Sequence, residues 1–209
     1  MNLYCLGGSL TAGYPGYSPS QKKISNGEGI VESQYEYWLE KLIKENFDKI
    51  SSLRIINKGM YGEISSDLLK RINRDIIQTI LTPDRCIIII GTNDLFSKTS
   101  IEDILKNIKS LHEICHEHNI PTIGATIPPI QNEQEKEDYK EKKMTLNMQL
   151  ESYFIQKNIP YCDLFNGMMD ENGNLDEIFT VSDGIHFSVE GYKKMAKLIF
   201  YQALKEQLE

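Results

Sequence analysis

Ser9 follows Gly7 and Gly8 directly after a short apolar run, so its hydroxyl can be presented with little backbone crowding, as a nucleophile requires. Near the other end, Asp183 stands three residues before His186 in Asp183-Gly184-Ile185-His186. A carboxylate at that spacing on a turn can reach back to one ring nitrogen and fix the tautomer, which leaves the other nitrogen free to take a hydroxyl proton. Asn93, in Gly91-Thr92-Asn93-Asp94, offers a side-chain amide to a developing oxyanion. In the segment Asn57 to Glu63, a glycine can offer its backbone N–H to the same oxygen with no side chain in the way. Taken singly, each segment also reads as an ordinary turn. Taken together, they favour acyl transfer by a serine, a histidine and an aspartate.

Such residues must be brought together by the elements between them. Short apolar runs alternate with amphipathic stretches along the chain, the pattern of β/α units around a mainly parallel sheet. The expected strands are Leu3 to Leu6, Arg54 to Asn57, Arg85 to Ile90, Pro121 to Ala125 and Ile159 to Asp163. Helical spacing joins Tyr35, Trp38, Leu39 and Leu42, then Ile64, Leu68, Ile72, Ile76 and Ile80. A third helix carries Ile101, Ile104, Leu105, Ile108, Leu111 and Cys115 and opens on Ser100 with Asp103 three residues on, like a capping box. Met144, Met148 and Ile155 mark a fourth helix, preceded by a charged run from Glu133 to Lys143 read as its solvated start. Val189, Tyr192, Ala196, Phe200 and Ala203 mark a fifth, which Ser188 can cap. The expected fold is α/β, a three-layer α/β/α sandwich whose five-stranded sheet has the flavodoxin-like order 2-1-3-4-5, in one domain over residues 1–209. In such a sheet the loops after the strands carry the chemistry, and Ser9, Asn57 to Glu63, Asn93 and the Asp183–His186 turn all fall on such loops. The first loop, Gly7 to Gly29, is expected to wall the pocket, and Ile127 to Ile130, with two prolines, to stiffen its far side.

Composition narrows the partners. The 209 residues include 30 acidic and 23 basic side chains, a net charge of -7, which argues against a nucleic-acid or anionic-membrane surface. The acidity favours a neutral acyl ester over a polyanion, although Lys22 and Lys23 could alter that balance locally. No run approaches the ~20 apolar residues of a membrane span, and the first residues lack the basic segment and long apolar core of a secretory signal, so a cytoplasmic protein is expected. The four cysteines, Cys5, Cys86, Cys115 and Cys162, are widely spaced and read as buried reduced thiols.

The series Gly7-Gly8-Ser9-Leu10, Asn57 to Gly62, Gly91-Thr92-Asn93-Asp94 and Asp183-Gly184-Ile185-His186-Phe187-Ser188 resembles, in order and spacing, the four blocks of the SGNH hydrolases, also called GDSL esterases and lipases. The resemblance spans the chain. It implies Ser9 as nucleophile, His186 as general base, Asp183 as orienting acid, an oxyanion hole from Gly62, Asn93 and the Ser9 backbone N–H, no cofactor, and a small acyl ester as substrate, with acetylated sugars, short alkyl or aryl esters, lysophospholipids and thioesters all open. Two positions depart from the family pattern: Gly8 stands where Asp is usual, and Phe187 where Pro is usual. Gly8 removes a side chain that helps to pin the serine loop, and Phe187 is expected to add apolar surface near the histidine.

Three rival readings stand beside this one, the first on other residues and two on the same first loop. His112-Glu113-Ile114-Cys115-His116 satisfies the His-Glu-x-x-His pattern of zinc peptidases. Its helix, however, runs back from the third strand to the opposite edge of the sheet, and His112 lies in the apolar stripe, so a satisfied interfacial histidine is the plainer account. The glycines after the first strand could cradle a phosphate in a nucleotide-binding module, yet Gly7, Gly8 and Gly13 do not fit Gly-x-Gly-x-x-Gly. The nucleophile elbow of the α/β-hydrolases needs a glycine where Thr11 stands.

Overall fold

The computed structural model describes residues 1–19, 27–48, 50, 52–97, 99–133 and 137–209. Lys22 and Lys23, and the 134–136 part of the charged run, lie outside the described residues. The strands are β1 (Asn2–Gly7), β2 (Tyr17–Ser18), β3 (Glu28–Gly29), β4 (Arg54–Gly59), β5 (Arg85–Ile89), β6 (Thr122–Ala125) and β7 (Tyr161–Cys162). The helices that concern the site are α1 (Ser9–Ala12), α2 (Tyr35–Asn46), α3 (Ser65–Ile72), α4 (Thr92–Phe96), α5 (Ile101–Glu117), α6 (Glu137–Gln156), α7 (Leu164–Met168) and α8 (Val189–Ile199).

Five strands form one sheet in the order β4-β1-β5-β6-β7, every neighbouring pair parallel, which is the expected 2-1-3-4-5. β2 and β3 form a small antiparallel pair outside it. The central strands are apolar on both faces because helices cover both. On one face Leu3, Cys5, Ile87 and Ile89 pack with Leu39 and Ile43 of α2 and Tyr192, Met195 and Ile199 of α8. On the other, Tyr4, Leu6, Ile88 and Ile90 pack with Leu68 and Ile72 of α3, Ile104, Ile108 and Leu111 of α5, and Leu146 and Leu150 of α6. All four cysteines are free and buried in these layers. No described helix is long and apolar enough to cross a membrane.

Both expected caps form. Ser100 Oγ accepts the Asp103 N–H at 3.1 Å and donates to its carboxylate at 2.9 Å, and Ser188 Oγ accepts the Gly191 N–H at 3.1 Å. Three expectations are corrected. The second helix does not carry its stripe to Ile80: after Ile72 the backbone widens into a π turn over Asn73–Ile77, closed by Gln78 N–H on the Asn73 carbonyl, and Ile80 is 87% exposed. On α6 the core face is Leu146, Leu150, Tyr153 and Phe154, whereas Met144, Met148 and Ile155 point outward. The helix start is not solvated throughout, since Lys143 and Glu133 are fully buried and paired at 2.7 Å. Lys143 also donates to the Pro128 carbonyl at 2.7 Å, and Glu133 accepts the Ile130 N–H at 2.8 Å. The buried pair is therefore a clamp on the proline loop.

Candidate active site

β1 ends at Gly7, and the chain turns at once into α1, a single turn whose four residues are all buried or nearly so. Ser9 begins that turn with 9% of its surface exposed. Its Oγ lies 2.8 Å from His186 Nε2, and His186 Nδ1 lies 2.7 Å from Asp183 Oδ2. An ionised carboxylate only accepts, so Nδ1 carries the proton and Nε2 is the acceptor for the serine O–H.

The turn from Asp183 to His186 is built around that carboxylate. Its other oxygen, Oδ1, accepts the backbone N–H groups of Ile185 and His186, both at 2.9 Å. Burial opposes the charge, but these two N–H donors and the imidazole outweigh it and hold Asp183 below its ordinary pKa. Gly184 makes the reversal possible: its φ of 73° lies in the left-handed region, and its carbonyl accepts the Gln131 N–H at 2.8 Å. The His186 carbonyl in turn accepts from Val181 N–H at 3.0 Å and Thr180 Oγ at 3.0 Å.

Phe187 does not add apolar surface beside the histidine. Its ring is 1% exposed and sits in the core, edge-on to Tyr192 at 5.6 Å. Burying such a ring contributes roughly 1.5–3 kcal/mol and fixes the backbone on which His186 is carried. The residue over the histidine is instead Tyr14, whose ring centroid is 4.4 Å from that of His186 and 5.1 Å from Tyr61. The Tyr14 carbonyl accepts the buried Tyr192 hydroxyl at 2.6 Å, and Tyr61 donates to the Tyr17 carbonyl. Thus the described part of the first loop does border the site.

A cleft of about 20 Å³ opens beside Ser9, lined by Gly8, Leu10, Glu63, Ile90, Asn93, Ile127 and Pro128 among others. The loops after β1, β4, β5 and β6 all contribute to it. Asn93 donates one amide hydrogen to the Glu63 carbonyl at 3.0 Å, leaving the second available. The next residue, Asp94, is fully buried and accepts the Ser65 N–H at 2.9 and 3.0 Å as well as the Ser65 hydroxyl, which locks this loop to the start of α3. Gly62 has φ 71° and faces open space. It is not in the cleft lining, but its neighbour Glu63 is. A Cβ on Gly8 would stand 3.4 Å from the Glu63 carbonyl and 3.6 Å from the Asn93 amide, ordinary contact distances, so the glycine leaves a gap rather than relieving a clash.

The structure thus joins Ser9, His186 and Asp183 by direct hydrogen bonds, and places Asn93 in the same cleft. His112 and His116 stand elsewhere. His112 Nδ1 lies 2.8 Å and His116 Nε2 3.3 Å from the same Thr122 hydroxyl, at the start of β6 and so at the opposite sheet edge from Ser9. His112 is fully buried beside Phe154, and burial, with a smaller push from His116, lowers its pKa to about 3. It is a neutral core histidine. Among the described residues no group of three or more His, Cys, Asp or Glu side chains could hold a metal ion.

The model of the GDSL-like lipase/acylhydrolase family matches residues 5–194. The chain belongs to this family. Among solved structures, the lipase/acylhydrolase from Enterococcus faecalis is 27% identical with a TM-score of 0.73, covering 100% of this chain and 98% of the other. A lipolytic protein of the G-D-S-L family from Desulfitobacterium hafniense shares the fold at 23% identity and a TM-score of 0.74, over 94% of this chain and 96% of the other. A variant of an acetyl-xylooligosaccharide esterase from Geobacillus does so at 20% identity and a TM-score of 0.76, over 96% and 93%. The family match places the chain among ester-bond hydrolases of the GDSL type. An N-acylneuraminate cytidylyltransferase from Streptococcus agalactiae is 32% identical over 101 residues, 48% of this chain and 24% of the relative. The match to such curated relatives spans about a quarter of their length.

Sequence reasoning did not assign Glu63, Arg71 or Tyr14. Arg71 had a readable signal: it interrupts the apolar stripe of α3 three residues after Leu68, with Asp75 four residues on.

Proposed function

We propose that this GDSL family chain is a serine-dependent carboxylic ester hydrolase that acts through an acyl-enzyme on small neutral acyl esters. The observation that carries the reading is the unbroken chain Asp183–His186–Ser9, with links of 2.7 and 2.8 Å. In the proposed mechanism Nε2 of His186 takes the Ser9 proton as Oγ attacks the ester carbonyl, and Asp183 stabilises the imidazolium. The second amide hydrogen of Asn93, with the N–H groups of Ser9 and Gly62, receives the charge on the carbonyl oxygen. The imidazolium then protonates the leaving alcohol. Water, deprotonated by the same histidine, releases the acid and restores Ser9.

The cleft favours a short acyl group. The space of about 20 Å³ beside Ser9 is on the scale of one water molecule, which suits a methyl group. The leaving alcohol departs on the His186 side, where Tyr14 and Tyr61 present partly exposed rings. Acetyl-xylooligosaccharides, the substrates named for one structural neighbour, have this form, a short acyl group on a large neutral alcohol.

The test is hydrolysis of p-nitrophenyl esters of two to eight carbons by wild type and Ser9→Ala, with labelling by a fluorophosphonate probe. The expected result is fastest turnover on the acetate, labelling at Ser9, and loss of both in the folded variant. Wild-type turnover by Ser9→Ala refutes the mechanism, and a preference for the octanoate refutes the acyl assignment.

A further inference from the structure

One guanidinium connects the segments that carry the proposed oxyanion donors. Arg71, on α3, is 7% exposed, and its Nε and Nη2 pair with both carboxylate oxygens of Glu63. Nη2 also donates to the Lys58 carbonyl at 2.8 Å and makes a longer contact, 3.5 Å, with the Gly7 carbonyl. Nη1 donates to Asp75 at 2.7 Å, and Asp75 is itself held by Arg74 at 2.7 and 2.9 Å. Two arginines thus face two carboxylates, Arg71 from within the protein and Arg74 from the surface. Arg71 therefore touches the end of β1 two residues before Ser9, the end of β4, and the residue after Gly62.

Glu63 transmits that grip to the cleft. Its side chain is held by Arg71, and its carbonyl accepts one hydrogen of the Asn93 amide at 3.0 Å. That bond sets the plane of the amide and hence the direction of its second N–H. The peptide joining Gly62 to Glu63 adjoins that anchored side chain. Left alone, this segment would have little to define it, because Gly62 sits at φ 71° with nothing within 4 Å of its missing side chain.

We propose that Arg71 is a positioning residue which, through Glu63, aims the Asn93 amide and the Gly62 N–H at the oxyanion. It touches neither substrate nor reacting atoms. The inference rests on the serine ester hydrolase reading and adds to it a source of preorganisation: donors already aimed need no reorganisation when charge develops, and this raises kcat rather than lowering KM.

The test is Arg71→Lys, which keeps the charge but cannot form the two-pronged pair with Glu63. Rates on p-nitrophenyl acetate are expressed per fluorophosphonate-titrated serine, so that misfolded protein does not count. The expected result is kcat lower by about 10- to 100-fold with KM changed by no more than about threefold, a large part of what losing one oxyanion donor costs. In an Asn93→Ala background the same substitution should lower kcat by distinctly less than in the wild-type background, because one of the two donors it aims is gone. If Arg71→Lys does not fold, the charge-neutral pair Glu63→Gln with Arg71→Gln is put through the same cycle with the same expectation. A kcat per site within about twofold of wild type, or equal losses in the two backgrounds, overturns the proposal. Full activity of Ser9→Ala would instead remove the reading beneath it, whereas an inactive Ser9→Ala beside a wild-type Arg71→Lys overturns this inference alone.

Discussion

Replacing Asp183 by Asn tests whether the carboxylate acts through proton placement. The wild-type side chain has two separable jobs: Oδ1 accepts the N–H groups of Ile185 and His186 and shapes the turn, while Oδ2 faces His186 Nδ1 at 2.7 Å. An asparagine keeps the first job with its carbonyl oxygen, so the turn, Gly184 and the buried Phe187 anchor should persist. Its NH2 group then faces Nδ1. A donor there requires Nδ1 to be the acceptor, which moves the ring proton to Nε2, the atom 2.8 Å from Ser9 Oγ. That tautomer cannot take the serine proton. The Asp183 side chain is 40% exposed, so solvent weakens its Coulombic support of the imidazolium, but no screening corrects a wrong tautomer. We therefore expect kcat to fall by about 10³-fold or more, toward the roughly 10⁴ of comparable triads, with an unchanged melting transition. Stopped-flow acylation by p-nitrophenyl acetate, alongside thermal unfolding, reads both. A folded variant within about tenfold of wild type would show that the tautomer is set by something other than Asp183.

Two further outcomes follow from the same geometry. Gly184→Ala places a Cβ 3.0 Å from the Gln131 side chain at a φ of 73°, so a loss of about 1–2 kcal/mol in urea unfolding is expected, with impaired turnover because the strain falls between Asp183 and His186; equal stability would refute the strain argument. Glu36 is buried beside Cys5 and Tyr35, and burial raises its pKa well above the ordinary carboxylate range. The folded form then holds a proton that the unfolded form releases above about pH 4.3. Wild type should lose stability relative to Glu36→Gln as pH rises from there toward the folded pKa, by up to about 1.4 kcal/mol per pH unit; parallel unfolding free energies at pH 6, 7 and 8 would refute it.

The sheet was legible because each strand is a short apolar run flanked by polar turns, and the parallel order follows once each is joined to the next by a helix. The four site segments were legible for a different reason: glycine, serine, asparagine and histidine stand at strand ends, where a core has no use for them. What failed was the choice of face on α6. Met144, Met148 and Ile155 recur at helical spacing, but so do Leu146, Leu150 and Phe154, and a helix with apolar residues around much of its girth does not say which stripe is inward. Ile80 failed because the helix ends in a π turn capped at Gln78, which leaves Ile80 beyond it, an ending that periodicity does not mark.

The buried charges were the least legible and are the most informative about function. A rule that assigns charged runs to solvent is right for Glu102, exposed on α5, and wrong for Glu133, Lys143, Glu63 and Arg71. Burying an ion pair is seldom favoured over apolar packing on energy alone, because desolvation offsets much of the attraction. Two such pairs nevertheless flank one small cleft. Glu133–Lys143 grips the carbonyl of Pro128 on one wall, and Arg71, paired with Glu63, grips the Lys58 carbonyl on the other. Apolar side chains could fill those volumes, but they could not hydrogen-bond the carbonyls and N–H groups of irregular loops, which have no ladder of their own to satisfy them. A loop that must hold donors steady against a developing charge needs anchors with direction, and buried charge pairs supply them where helices and strands cannot.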